Sequence, residues 1–233
     1  MTLPSPLSEN LPPPRIVALG VLVSGNGSNL QSLIDGIEAG SLSARISVVI
    51  SSNSDAYALK RCEKHGIPTV VVDHRLYVHR GDFDEKIILT LKKHGVELVV
   101  MAGFMRILGH RFFEAFPMRI INIHPALLPA FPGLHVQQKA IDYGARFSGC
   151  TVHFADEGID SGPIIIQAVV PVLDDDTADT LAERILREEH RIYPRAIQLY
   201  AEGRISVEGR KVRISQTKRY VKEAVLINPP LND

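Results

Sequence analysis

Asn122 and His124 stand two residues apart in Ile121-Asn122-Ile123-His124-Pro125. Side chains alternate along an extended chain, so the amide and the imidazole share one face while Ile121 and Ile123 share the other. Two polar groups thus point together at a strand end, where open α/β sheets build their ligand crevices. Pro125 cannot donate to a sheet ladder, and Pro129 and Pro132 stiffen the residues after it, so the strand ends at His124 and a rigid loop begins. Asp160 lies in Glu157-Gly158-Ile159-Asp160-Ser161-Gly162-Pro163, where two glycines let the backbone fold a carboxylate inward. Beside an imidazole it would favour the charged ring. A strand-end histidine is more often structural and a loop aspartate more often solvated, so the residues alone leave that pairing open.

Ser24-Gly25-Asn26-Gly27-Ser28 is a second candidate. Glycines ahead of a helix start let backbone amides approach an anion, and the helix dipole favours negative charge there. No Gly-Lys-Ser/Thr follows, Leu30 replaces the third glycine of a dinucleotide fingerprint, and Ser51, Ser52 and Asn53 stand where a nicotinamide ribose wants a carboxylate. A phosphomonoester is therefore favoured over a dinucleotide, with a plain tight turn as the alternative. Glu189 falls on the apolar face set by Leu181, Ile185, Ile192, Ala196 and Leu199. It needs either a basic core neighbour or a ligand to bond. His124, His153 and Asp160 lack tight metal-ligand spacing, and Gly-x-Ser-x-Gly is absent, so neither a metal centre nor a serine hydrolase is expected. The cationic run Lys218 to Lys222 reads as a solvated tail.

Short aliphatic runs alternating with amphipathic segments position these residues, the pattern of repeated β-α units on a parallel sheet. Strands are expected at Ile16 to Val23, Arg45 to Ile50, Pro68 to Val72, Glu97 to Met101 and Ile120 to His124. Helical faces are carried by Leu30, Leu33, Ile34 and Ile37, by Ala56 to His65, and by Phe83, Ile87, Ile88 and Leu91. A short helix over His135 to Tyr143 precedes runs at Gly149 to Phe154 and Pro163 to Val170, which suit a hairpin beside the parallel strands. A long helix starts at Asp176 or Thr177 and reaches Tyr200, with Pro194 expected to interrupt or kink it. The fold class is α/β: a doubly wound, mostly parallel mixed sheet with an antiparallel portion after the strand of His124. Residues 1–14, with five prolines, are expected to be a disordered tail, 15–207 a single domain, and 208–233 a loosely packed extension.

Hydrophobic residues make up 45% and charged residues 22% of the 233, as in soluble globular proteins, and no apolar run has membrane length. Lysine plus arginine balances aspartate plus glutamate at 26 each, which gives no field for nucleic acid or membrane and points to small-molecule substrates. Cys62 and Cys150 are too few for a disulfide framework and, with no basic start or arginine-rich transit pattern, a cytoplasmic setting is expected. The chain is expected to be a monomer or homodimer.

Five motifs in order carry a family resemblance: Ser-Gly-Asn-Gly-Ser-Asn-Leu-Gln at 24–31, Met-Arg-Ile-Leu at 105–108, Asn-Ile-His-Pro at 122–125, Leu-Leu-Pro at 127–129 and Asp-Ser-Gly-Pro at 160–163. Over Arg15 to about Ile205 the chain resembles the phosphoribosylglycinamide formyltransferases of purine synthesis, which have a Rossmann-like fold and use 10-formyltetrahydrofolate as co-substrate without a metal. The resemblance implies that Gly27, Ser28 and Asn29 cradle the ribonucleotide phosphate and that Glu189 touches its ribose. It implies that Arg80, Met105, Arg106, Ile107, Leu108, Asn122, Asp156, Glu157, Gly158, Ile159 and Asp160 border the folate. Asn122, His124 and Asp160 match the catalytic trio, with Asn122 and protonated His124 as oxyanion donors and Asp160 keeping His124 charged and assisting proton transfer. Ser161 departs from the glycine common in the family. The rival readings are a formyltetrahydrofolate hydrolase, which carries a further N-terminal domain, methionyl-tRNA formyltransferase, which carries a further C-terminal one, and a non-catalytic folate or phosphosugar binding module.

Overall fold

Every residue of Val17–Val23, the first strand (β1), is buried, as it must be in a parallel sheet covered on both faces. The structure is a computed structural model describing residues 14–215, 226 and 228. The sheet continues with β2 (Ala44–Ser51), β3 (Thr69–Val71), β4 (Leu98–Met101), β5 (Ile120–His124), β6 (Phe147–Phe154) and β7 (Ile164–Pro171), in the order β3-β2-β1-β4-β5-β6-β7. The first five strands are parallel; β6 pairs antiparallel with β5, and β7 with β6. The doubly wound mixed sheet, with its reversal after the strand of His124, is as expected.

Helices α1 (Ser28–Glu38), α2 (Tyr57–Lys64), α3 (Arg80–Lys93), α4 (His110–Ala115), α5 (Val136–Asp142) and α6 (Ala178–Ala201) cover the faces. Alternation along β1 sends Val21 and Val23 into one core with Leu30, Leu33, Tyr193 and Ile197, and Leu22 into another with Phe83, Ile87, Leu91 and Phe112. The chain winds from β1 outward to β3 and then returns to place β4 on the other side of β1. A crevice opens at the carboxyl ends of the two strands on either side of such a reversal. Ser24 bridges it: its N–H donates to Gly103 O at 3.1 Å, and its hydroxyl accepts from the Met105 N–H at 2.9 Å.

Helix α6 departs from expectation. It runs unbroken through Pro194, whose ring lies 3.8 Å from a Cβ built on Gly36 of α1. The bond lost is one N–H to the His190 carbonyl, and packing against α1, β6 and β7 keeps the remaining turns in register. Thr177 is its N-cap, within a capping box with Thr180. Tyr193, fully buried, shares its hydroxyl between Met101 O at 2.9 Å and Ile121 O at 3.0 Å, binding the helix to β4 and β5. The hairpin of β8 (Ile205–Glu208) and β9 (Lys211–Ile214) runs past the boundary expected at 207. Ile205, Val207 and Val212 alternate onto the main core, and Glu208 to Lys211 at the turn are exposed. The proline-rich tail, except Pro14, and residues 216–225, 227 and 229–233 lie outside the described residues. Helix α4 has no counterpart in the sequence reading, because six residues are too few for a periodic signal.

Candidate active site

The carboxyl end of β5 carries Asn122 and His124 inward, and antiparallel β6 sets His153 opposite Asn122 and Thr151 opposite His124. Asp160 arrives from the β6–β7 loop with φ 51°, a left-handed conformation costly for a side-chain-bearing residue but better tolerated by aspartate than by most. Its Oδ2 sits 3.3 Å from His124 Nδ1 and accepts the Gly133 N–H at 2.9 Å. Its Oδ1 accepts from Asn122 Nδ2 at 3.3 Å. Asn122, His124 and Asp160 thus form one cluster. The imidazole is 5% exposed, and its Nε2 lies 2.9 Å from Phe131 O. The two ring nitrogens thus lie beside oxygen atoms, Nδ1 beside Asp160 Oδ2 and Nε2 beside Phe131 O.

His153, 1% exposed, completes the cluster. Its Nδ1 lies 2.9 Å from Phe154 O, a pure acceptor, so the proton sits on Nδ1 and Nε2 is left to accept. Nε2 lies 3.1 Å from Asn122 Nδ2, and that contact orients the amide with its nitrogen inward. Burial lowers the pKa of His153, opposed by the Phe154 bond and the Asp160 charge, which suits a neutral ring. The sequence reading names His153 only as a weak metal candidate. The signal that could have found this role is its place on the Thr151–His153 face of the strand that follows Asn122 and His124. Thr151 ties the next turn: its hydroxyl donates to Ala126 O at 2.7 Å and accepts from Leu128 N at 3.1 Å.

Gly27 caps α1 with φ 74°, in the left-handed region that favours glycine. No side chain caps this helix, and its first turn holds no acidic residue, which leaves N–H groups and the positive dipole end for an anion. A cavity of about 630 Å³ runs from Gly27, Ser28 and Asn29 along Glu189 to Pro125 and Met105. It joins the glycine loop to the residue after His124. Among the described residues Glu189 has no basic partner and Asn29 Oδ1 is buried without a partner; Glu189 Oε2 accepts from Asn29 Nδ2 at 2.7 Å.

Burial raises the Glu189 pKa above the usual carboxylate value, and the Asn29 bond opposes this only in part. The folded chain therefore holds this proton more firmly than the unfolded chain, and stability falls as pH rises through the interval between the unfolded and the raised folded value. Glu189→Gln keeps an acceptor for Asn29 and removes the charge. Its melting temperature at pH 7 is expected to exceed the parent's, at about 2–4 °C per kcal/mol for a chain of this size. The gap should close below the ordinary glutamate pKa. Thermal scans from pH 4 to 8 check this, and a constant gap across that range would contradict it.

Of the residues expected to border folate, Met105 lines the same cavity as the glycine loop. Met105, Arg106 and Ile107 are exposed and Leu108 is buried. Arg80 donates to Leu108 O, and the Asp84 carboxylate accepts the Gly109 N–H at 2.7 Å, so the start of α3 holds this strap. In the 156–160 loop, Glu157 pairs with His110, Gly158 and Ile159 are exposed, and Asp156 Oδ1 accepts from Ser161 Oγ at 2.6 Å. The serine that departs from the family pattern thus cross-links the loop, and a Cβ on Gly158 would lie 2.0 Å from its hydroxyl. Among the described residues, no group of three or more histidine, cysteine, aspartate or glutamate side chains could hold a metal ion, and no helix is long and apolar enough to cross a membrane.

Residues 17–197 match the family model described as formyl transferase. The chain is 39% identical over 187 residues to phosphoribosylglycinamide formyltransferase of Escherichia coli (strain K12), covering 80% of this chain and 88% of that one. It is 44% identical over 189 residues to the Homo sapiens trifunctional purine biosynthetic protein adenosine-3, covering 81% of this chain but 19% of that protein. The chain thus spans about a fifth of that relative. The crystal structure of glycinamide ribonucleotide transformylase 1 from Symbiobacterium toebii superposes with a TM-score of 0.84 at 51% identity, covering 85% of this chain and 94% of that one.

Proposed function

The chain belongs to the formyl transferase family, and on that basis we propose that it moves the formyl group of 10-formyltetrahydrofolate onto the amine of 5-phosphoribosylglycinamide, a step of purine synthesis. The observation that carries this reading is the single cavity that has an anion-ready helix start and a buried carboxylate at one end and Met105 and Pro125 at the other. A phosphorylated ribose fits the first end: phosphate on the N–H groups of Gly27, Ser28 and Asn29, and hydroxyls donating to Glu189 and to the unpartnered Asn29 Oδ1. Folate approaches past Arg80, Met105 to Leu108 and the 156–160 loop.

The neutral amine attacks the formyl carbon, and a tetrahedral oxyanion forms. His124 Nε2–H exchanges the Phe131 carbonyl for this oxygen, and Asn122 turns toward it the hydrogen now held at 3.3 Å by Asp160, the longer of its two contacts. Asp160 keeps the ring charged and assists the proton from the attacking nitrogen toward the departing folate nitrogen. The chemistry needs no covalent enzyme intermediate and no metal. Tetrahydrofolate release from 10-formyltetrahydrofolate is expected to depend on the ribonucleotide, read as the absorbance of folate product with and without it. Equal release in its absence would replace this reading with a hydrolase.

A further inference from the structure

A phosphate monoester brings a charge of about −1.5 to −2 near neutral pH. The cavity that would receive it is lined by Asp179, Glu183 and Glu189 and, among the described residues, by no lysine or arginine. The dipole of α1 supplies only about half a positive charge. A fixed cation is nevertheless built against the glycine loop, one layer behind it. Arg61 of α2 donates through Nε to Asn26 O at 3.0 Å, through Nη2 to Asn26 Oδ1 at 2.9 Å and through Nη1 to Gln31 Oε1 at 3.2 Å. The Tyr57 ring lies under the guanidinium, 5.0 Å from its centroid. The same helix moulds the loop by backbone contact: Ala58 N–H donates to Gly25 O at 3.1 Å, and a Cβ on Gly27 would meet Ala58 Cβ at 2.6 Å.

The atoms Arg61 grips matter. Asn26 O belongs to the peptide unit whose N–H is that of Gly27. A charged donor on the carbonyl polarises that unit and strengthens the N–H offered on the opposite side. Arg61 also lines a smaller hollow of about 350 Å³ with Gln31, Asp35 and His190, and Ser28 borders both this hollow and the larger cavity. Among the described residues the His190 Nε2 there is buried without a partner, and the ring's pKa is lowered by burial, with Arg61 adding to the effect and Asp35 opposing it. Asp35 is itself drawn to Gln31 Nε2 at 2.9 Å, which leaves the guanidinium facing the loop.

We propose that Arg61 is the positioning and specificity-determining residue for the substrate phosphate, fixing the glycine loop through Asn26 and offsetting the phosphate charge from behind it. The proposal rests on the reading of the larger cavity as the ribonucleotide site. It is tested by kcat/KM for the ribonucleotide and for its riboside, which lacks the phosphate, in the parent, Arg61→Gln and Arg61→Lys.

Loss of one charge at this range in a partly screened site is expected to lower the ribonucleotide-to-riboside ratio at least about tenfold in Arg61→Gln. Arg61→Lys restores part of the ratio, since it keeps the charge and loses the two-pronged grip on Asn26. Inhibition by inorganic phosphate should weaken in parallel in Arg61→Gln. An unchanged ratio overturns the proposal. A parent that transfers no formyl group to the ribonucleotide removes the underlying reading, whereas an active parent whose phosphate preference survives Arg61→Gln removes Arg61 alone.

Discussion

His124→Ala is expected to lower kcat by about 10³-fold or more while leaving ribonucleotide affinity measurable. The ring is the point where two effects meet. A positioned proton carrier contributes about 10²- to 10⁴-fold and a single oxyanion donor about 10²- to 10³-fold. Truncation removes both, and it also strands Asp160 Oδ2 with Gly133 N–H as its remaining close donor. The proposed phosphate and ribose contacts lie at the glycine loop and Glu189, on other elements, so binding and chemistry should separate. Steady-state kcat beside calorimetric titration with the ribonucleotide reads the two apart. Turnover near the parent's would take His124 out of the mechanism.

Asp160→Asn is expected to cost about 10²-fold in kcat with little change in the fold, within the range of a positioned acid-base group. Asparagine keeps an acceptor for the Gly133 N–H. With its oxygen in the Oδ2 place, facing Gly133 N–H and His124 Nδ1, its N–H₂ lies against Asn122 Nδ2, another donor from which it cannot accept. The site loses the negative charge beside the ring. Asp160→Ala should fall as far in kcat and in addition lose about 1 kcal/mol of stability, because the Gly133 N–H then has no partner. Urea midpoints set beside kcat values for the two variants distinguish the charge from the anchor. Equal midpoints would mean that Asp160 does not hold the proline-rich loop.

Much of this was legible because it is local. Alternation over Ile121 to His124 places two polar groups on one face whatever the remainder of the chain does, and a glycine ahead of a helix start announces an uncapped N-terminus. Glu189 was legible as an anomaly, a carboxylate on an apolar face, but its partner was not. Asn29 is 160 residues away, and only the packing of α1 on α6 brings the two together. His153 was hidden for the same reason, since its tautomer depends on Phe154 O and its meeting with Asn122 on strand register. Nothing in the residue order hints that Phe131 O occupies His124 Nε2, because a loop carbonyl carries no residue-type signal. Pro194 misled in the opposite direction: its helix-breaking tendency is real, yet one missing bond in 24 helical residues is outweighed by tertiary contact.

The bond from Tyr193 to β4 and β5 makes α6 a phase marker. With the packing on α1, β6 and β7 it fixes the rotation of the helix against the sheet, and Glu189, one turn earlier, takes its direction from that attachment. Inserting one residue between them would turn Glu189 by about 100°, away from Asn29 and out of the cavity, without removing any group that touches a substrate. Length between 189 and 193 is thus as much a part of the site as chemistry: point substitutions along that turn are negotiable, and insertions or deletions are not.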